Sequence, residues 1–178
     1  MIRGKTVRFE GFDRIHLKRT LSWKNDPLIK RLTGTVYPIS MEEHERWFDK
    51  VSQDDKFKIF AIKNEEGAHI GNVMLHNINW KDRSSEFGVY IDRNQEKRGY
   101  GKDALITLLN FAFNKLNLHR IYCHVFEFNK RAISLYRKLG FKVEGRLREA
   151  LYLDGKYYDI LVFSILDREF DNKNKIEC

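Results

Sequence analysis

Hydrophobic and polar positions recur along the chain with two periods, and the switches between them divide it into elements. In "TVRFEGF", Val7 and Phe9 alternate with polar neighbours, which predicts a short strand. "DRIHLKRTLSWKND" predicts a helix ending near Asp26-Pro27, because proline resists continuing one. "SMEEHERWFDKV" predicts a second helix. Ser40 and Glu43 stand at capping-box spacing, and His44, Trp47, Phe48 and Val51 then fall on one face. Two-residue alternation resumes in "FKIFAIKN" and "HIGNVMLHNINW", with the turn signal "NEEGA" between them. It continues in "SSEFGVYID", which sets Phe87, Val89 and Ile91 on one face and Glu86, Gly88 and Tyr90 on the other.

Beyond residue 100 a helical stripe of Leu105, Leu108, Leu109, Ala112 and Leu116 follows. "HRIYCHVF" is a near-continuous apolar run, the pattern of a strand at a buried sheet centre. "NKRAISLYRKLG" predicts a short helix, capped by Asn129, striped by Ala132, Leu135, Tyr136 and Leu139, and closed by Gly140. Two strands, "FKVEGRLREALYL" and "KYYDILVFSIL", meet at the tight turn Asp154-Gly155. The order is one strand, two helices, three strands, helix, strand, helix, two strands. That is a mixed α/β sheet of about seven strands and about four helices. The strand–helix–strand unit over 84–125 predicts a parallel crossover. No repeat, linker or low-complexity stretch interrupts the pattern, so residues 1–170 are expected to form a single domain, with 171–178 as a loose tail.

Composition narrows the class. The chain has 178 residues, 42% hydrophobic and 33% charged, which suits a soluble globular domain rather than a disordered one. No apolar run is long enough to span a membrane, and the N-terminus lacks the apolar stretch of a signal peptide, so a cytoplasmic protein is expected. Cys123 lies in an apolar segment and Cys178 ends the chain. Two such thiols make neither a disulfide framework nor a metal set. His119 and His124 sit five apart on one strand and so point to opposite faces; with His76 they are expected to be structural, and no metal site is expected. The net charge of +8 favours anionic partners and weighs against a polycationic substrate. The basic residues are dispersed, which argues against specific nucleic-acid binding.

The chemistry concentrates in "NQEKRGYGKDALITLLNFAF", where a basic glycine turn runs into a helix. Helix-start amides with glycines beside them suit a phosphate, and Lys97, Arg98 and Lys102 add charge. The dinucleotide and P-loop patterns both fail: only Gly99 and Gly101 are present, and "GYGKDA" reads Gly-Lys-Asp. On its own the turn is equally compatible with a purely structural role.

A second segment changes the weighing. In "FNKRAISLYRKLGFKVEG", Asn129, Ala132, Tyr136, Gly140 and Phe141 match the Asn-x-x-Ala-x-x-x-Tyr-x-x-x-Gly-Phe segment of the GNAT superfamily of N-acetyltransferases. Gly99 and Gly101 match its (Gln/Arg)-x-x-Gly-x-(Gly/Ala) pyrophosphate loop. The chain resembles this family from about residue 70 to 166, and within it the spermidine and ribosomal-protein N-acetyltransferases; the N-terminal helices resemble it less. One position departs, with Glu96 standing at the loop's usual Gln/Arg.

The resemblance implies a GNAT-like, mostly antiparallel twisted sheet and an acetyl-CoA-dependent transferase whose acceptor amine attacks the thioester directly. It implies cofactor contacts from residues Glu96, Lys97, Arg98, Gly99, Tyr100, Gly101 and Lys102. It further implies that Val89, Tyr90 and Ile91 offer backbone groups to the pantetheine arm, with the N–H of Val89 or Ile91 as oxyanion donor, and that Asn129 both caps its helix and bonds that arm. Tyr136 takes the place of the general acid to the sulfur. Glu86 takes that of the base, or of the group polarising a water that acts as base. Read from spacing alone, Tyr136 is instead a packed aromatic, Glu86 a solvated strand-end residue, and Trp23, Trp47 and Trp80 ordinary packing rather than walls of an acceptor site. The acceptor is expected to be a small-molecule primary amine, a polyamine or an amino-sugar nucleotide. The alternatives are a protein N-terminus and a non-catalytic acetyl-CoA-binding module. A homodimer is common in the family.

Overall fold

The structure, a computed structural model, describes residues 2–170. The expected tail, with Cys178, lies outside the described residues. One eight-stranded sheet runs through the molecule in the order β1-β2-β3-β4-β5-β6-β8-β7. Its strands are β1 (Ile2–Arg3), β2 (Arg8–Gly11), β3 (Lys58–Lys63), β4 (His69–Asn79), β5 (Ser84–Ile91), β6 (Arg120–Phe126), β7 (Lys142–Leu153) and β8 (Lys156–Leu166). Every neighbouring pair is antiparallel except β5 and β6, which are parallel and joined through a helix, as the strand–helix–strand unit over 84–125 predicts.

Among the described residues five α-helices flank the sheet: α1 (Leu17–Lys24), α2 (Pro27–Thr33), α3 (Met41–Ser52), α4 (Tyr100–Asn114) and α5 (Lys130–Lys138). Strands and helices each exceed the expected number by one. The extra strand is the two-residue β1, too short for alternation to show. The extra helix is α2. Pro27 does not merely stop α1; it occupies the first position of α2, where its missing N–H costs nothing. Asp26 caps that turn by accepting from the amides of Leu28 and Ile29 at 2.9 and 3.2 Å. Gly34 closes it in the left-handed region at φ 71°. The capping box of α3 forms as its spacing requires, with Ser40 N–H donating to Glu43 at 2.9 Å and Glu43 N–H donating to Ser40 Oγ at 3.2 Å.

The period-two pattern decides what each face meets. Phe60, Val73, Leu75, Phe87, Ile121, Cys123 and Phe163 face α4 and α5 and build the main core with Leu105, Leu108, Leu109 and Ala112. The opposite face carries Asn72, Glu86 and Tyr90 and receives α1, through Thr20 and Trp23. "HRIYCHVF" is thus buried on one face only: Ile121, Cys123 and Val125 are buried, whereas His124 is exposed.

The N-terminal strands are tied to α4 by Asp103. Its buried carboxylate accepts from the backbone amides of Lys5, Thr6 and Val7 at 3.1, 2.7 and 3.0 Å, and from the Thr6 hydroxyl at 3.0 Å. The Gly-Lys-Asp that disqualified a P-loop is therefore a structural clasp at the first turn of α4.

Candidate active site

The site begins where the sheet opens. β5 and β6 are paired over only three rungs, Ser84–Arg120, Ser85–Ile121 and Glu86–Tyr122. Beyond Glu86 they separate, while β5 stays paired to β4 as far as Ile91 and β6 to β8 as far as Phe126. A slot with strand edges on both sides results. The amide of Asp92 donates to Ile70 O of β4 at 2.7 Å. By the two-residue period, the amides of Tyr90 and Gly88 also face β4, and those of Val89 and Ile91 face the slot. Val89 and Ile91 therefore present backbone groups there and Tyr90 does not. The Tyr90 side chain packs 6.1 Å from Trp23 with its hydroxyl accepting from Asn72 Nδ2 at 2.7 Å.

At the wide end of the slot stands the glycine turn. Lys97 and Gly99 both take the left-handed conformation, at φ 63° and 84°, with Arg98 between them. Such alternation turns successive amides toward one concavity, a shape that binds anions. Gly99 precedes the first residue of α4, and its carbonyl accepts the helix's first bond, from Asp103 N–H at 3.1 Å. The amides of Tyr100, Gly101 and Lys102 thus fall in the first turn, where the N-cap Gly99 has no side chain to cap them. The Tyr100 ring turns into the core. The side chains of Lys97, Arg98 and Lys102 lie at the surface. Glu96 pairs with Arg131 of α5 at 2.6 Å, so its charge is met by a cation. A chain of amides, three cations and an open strand edge fit a diphosphate followed by an extended pantetheine arm.

At the narrow end, Phe87 and Cys123 are the first residues beyond the last rung. Tyr136 of α5 packs on them from the α4/α5 side. Its ring lies 5.4 Å from Phe87, 5.6 Å from Phe141 and 5.8 Å from Phe163. Its phenol interacts with the Cys123 thiol. Burial, and then the neighbouring Cys123, push the Tyr136 phenol far above the usual range, and burial likewise raises the Cys123 thiol. Tyr136 is thus a core aromatic and a hydroxyl at the slot's vertex at once. Asn129 caps α5, accepting from Ala132 N–H at 3.1 Å.

Glu86 lies on the other face of the same vertex. Its carboxylate stands 2.7 Å from Nδ1 of His124 and accepts from Asn77 Nδ2 at 3.1 Å. His76 Nδ1 is 3.8 Å away. Burial holds the His76 imidazole below its usual range, against the pull of Glu86. Sheet pairing thus brings together residues that spacing along the chain kept apart. His119, by contrast, precedes β6 and pairs with Asp167 at 3.0 Å.

The sheet face that carries Glu86 and Tyr90 is aromatic where α1 and α3 cover it. Trp23 packs on His69 at 4.8 Å and helps line an open cavity of about 510 Å³ with Arg19, Asp26, Ile29, Asp92 and Arg93. Two ion pairs, Arg19–Asp92 at 3.3 Å and Arg93–Asp26 at 3.8 Å, balance the charge in that cavity. Trp47 carries the Lys24 ammonium 3.9 Å above its ring, and burial brings that lysine down to about 8. Trp80 is partly exposed in the β4–β5 turn, at 42%.

Known proteins share the family and the fold of this chain. The family model described as an acetyltransferase (GNAT) domain matches residues 7–142. The chain is 32% identical over 136 residues to a spermidine N(1)-acetyltransferase of Vibrio cholerae, covering 76% of this chain and 79% of that one. It is 30% identical over 139 residues to the acetyltransferase PseH of Campylobacter jejuni, covering 78% and 85%. Among solved structures, the spermidine N-acetyltransferase of Vibrio cholerae in complex with CoA and spermine superposes with a TM-score of 0.89 at 28% identity, over 93% of this chain and 98% of that one.

Proposed function

We propose, from the premise that the chain belongs to the GNAT acetyltransferase family, that it moves the acetyl group of acetyl-CoA to a primary amine of a small molecule. The enzyme class and the co-substrate follow from the family; the acceptor and the residue roles are our reading. The observation that carries it is the slot: a strand pair that parts after Glu86–Tyr122, with the amide turn at one end and Tyr136 and Glu86 at the other.

In this reading the first-turn amides and Lys97, Arg98 and Lys102 hold the diphosphate. The edge of β5 at Val89 and Ile91 bonds the pantetheine as an added strand would. The thioester then lies at the vertex, where the N–H of Val89 or Ile91 meets the developing oxyanion. An amine is mostly protonated near neutral pH, and Glu86 supplies the negative charge that drives its deprotonation. Tyr136 donates a hydrogen bond to the departing sulfur. Its raised pKa keeps the phenol protonated, so it stabilises the thiolate by donation rather than by surrendering its proton outright.

For the acceptor, relatives named for spermidine favour a polyamine. The net charge of +8 favours an anionic amine such as an amino-sugar nucleotide. A panel containing spermidine, spermine, an amino-sugar nucleotide and an N-terminal peptide, scored by release of free CoA thiol, separates them. Spermidine or spermine is the expected first acceptor. Acceleration only by the peptide would make the protein N-terminus the substrate. Binding of acetyl-CoA with no thiol release by any amine would make the chain a non-catalytic binding module. Self-association is expected too, since a relative from Vibrio cholerae is dodecameric.

A further inference from the structure

The route of the amine's proton can be resolved further, on the basis of the acetyltransferase reading above. Glu86 is not a free base. Oε1 is 2.7 Å from His124 Nδ1. Oε2 accepts from Asn77 at 3.1 Å and has His76 Nδ1 at 3.8 Å. Asn77 reaches it from a bulge in β4, where its own backbone is left-handed at φ 52°. The Glu86 side chain is 15% exposed and that of His124 is 40% exposed. An amine entering from solvent therefore meets the imidazole first.

The contact also sets the tautomer. An ionised carboxylate only accepts, so Nδ1 of His124 must carry the hydrogen, and in the neutral ring Nε2 then holds the lone pair. Among the described residues that ring makes no other hydrogen bond. The Glu86–Tyr122 rung places His124 two residues further along the same face of β6, on the wall of the slot. A free imidazole binds a proton roughly a hundred times more tightly than a free carboxylate, which suits it better to an ammonium.

We propose that His124 accepts the acceptor's proton and that Glu86 is its positioning residue. The ammonium N–H bond breaks and its proton passes to Nε2. The freed nitrogen pair attacks the thioester carbonyl carbon, forming the C–N bond and an oxyanion. The oxyanion's pair then re-forms C=O, the C–S bond breaks, and the sulfur departs with its electrons. The remaining surplus proton on nitrogen passes to sulfur, and the imidazolium returns its own to solvent. An ammonium and an acetyl thioester become an amide, a thiol and one released proton.

The groups that face the imidazole are few. Glu86 comes from β5, His76 from β4, and Tyr122, with its ring 6.1 Å away, from β6 itself. On the other side the β8 partner is Val162, and Glu144 of β7 is already engaged by Arg120 and Ser164. Glu86 is thus the one anion in contact with the ring among the described residues.

The test compares the full-length wild type with His124→Gln and Glu86→Gln. Glutamine at 124 can still donate to Glu86 but cannot take a proton. Calorimetry should show acetyl-CoA affinity unchanged within about twofold, since the cofactor's contacts lie elsewhere. Turnover with the best amine of the panel, followed from pH 5.5 to 9, should fall on the order of 100-fold in His124→Gln, with loss of the acid limb of the profile. In Glu86→Gln turnover should fall as well while acetyl-CoA affinity holds, because the imidazole loses the partner that fixes its tautomer. A His124→Gln protein with the wild-type profile would overturn the proposal and leave the transferase reading standing. A wild type that acetylates no amine would overturn both. Nitrogen-15 NMR of His124 near neutral pH gives a readout independent of turnover. The Nδ1–H form is expected in the wild type and its loss in Glu86→Gln; an Nε2–H form in the wild type would overturn the assignment.

Discussion

Lowering the pH from 7 to 5 should unfasten the N-terminal helices from the sheet, by an amount that two histidines set. His44 of α3 is 1% exposed, stacked 5.1 Å from Trp47, with no hydrogen-bond partner for its Nε2 among the described residues. His69 of β4 is 6% exposed, wedged between His16 and Trp23 at 4.7 and 4.8 Å, with Nε2 bonded to Asn72 Oδ1 at 2.7 Å. Burial brings each down from 6.5 to about 4. The folded chain thus keeps both neutral where the unfolded chain protonates them. Their contribution is fully present above pH 6.5 and is lost as pH falls toward 4, because the unfolded state binds more protons across that window. At pH 5 the protonation imbalance is roughly thirtyfold per ring, or about 2 kcal/mol each and about 4 for the pair. That is a large share of a typical domain stability of about 5–15 kcal/mol. Chemical unfolding at both pH values, in the wild type and in His44→Gln/His69→Gln, isolates this share, since every other titrating group is common to both. The wild type should lose about 4 kcal/mol more than the double variant. Equal losses would show that neither ring is held neutral by the fold, and the reasoning would fail.

Other outcomes follow from the site. Tyr136→Phe keeps three ring contacts and removes only a hydroxyl beside the Cys123 thiol, so stability should change by about 1 kcal/mol or less. Acetyl-CoA affinity should hold while turnover falls on the order of 100-fold; steady-state kinetics beside calorimetry would remove Tyr136 from its role if turnover were equal. Gly99→Ala forces a side chain into φ 84° and should cost about 1–3 kcal/mol in unfolding or reorganise the turn and weaken acetyl-CoA binding. A variant matching the wild type in both measurements would show that the turn does not need its left-handed residue. Glu96→Gln removes a carboxylate from the anion's surroundings while giving up a partly exposed pair with Arg131. Stability should stay within about 1 kcal/mol, and acetyl-CoA should bind a few-fold tighter in low-salt calorimetry; weaker binding would mean that Glu96 helps rather than hinders the cofactor.

What the sequence made legible was local. The Ser40–Glu43 capping box, the leucine stripe of α4, the Asn129 cap and the Asp154-Gly155 turn each depend on residues a few positions apart, and all are present. The crossover between β5 and β6 followed from element order alone. Pro27 misled because a proline that ends one helix is equally suited to start the next, and only Asp26 ahead of it signalled the second role. The surroundings of Glu86 were hidden for a different reason. His76, Asn77 and His124 reach it through register, and a one-residue slip in either neighbouring strand would turn those side chains to the other face. Asp103 was read only as a mismatch to a phosphate motif, since its partners at residues 5–7 lie almost a hundred positions away.

The account rests on a slot that receives a diphosphate at its amide-lined end and a thioester at its vertex. Isothermal titration of the wild-type protein with acetyl-CoA tests this most directly. Saturable heat with one molecule bound per chain is the expected result; a titration that shows no binding at millimolar acetyl-CoA would contradict it.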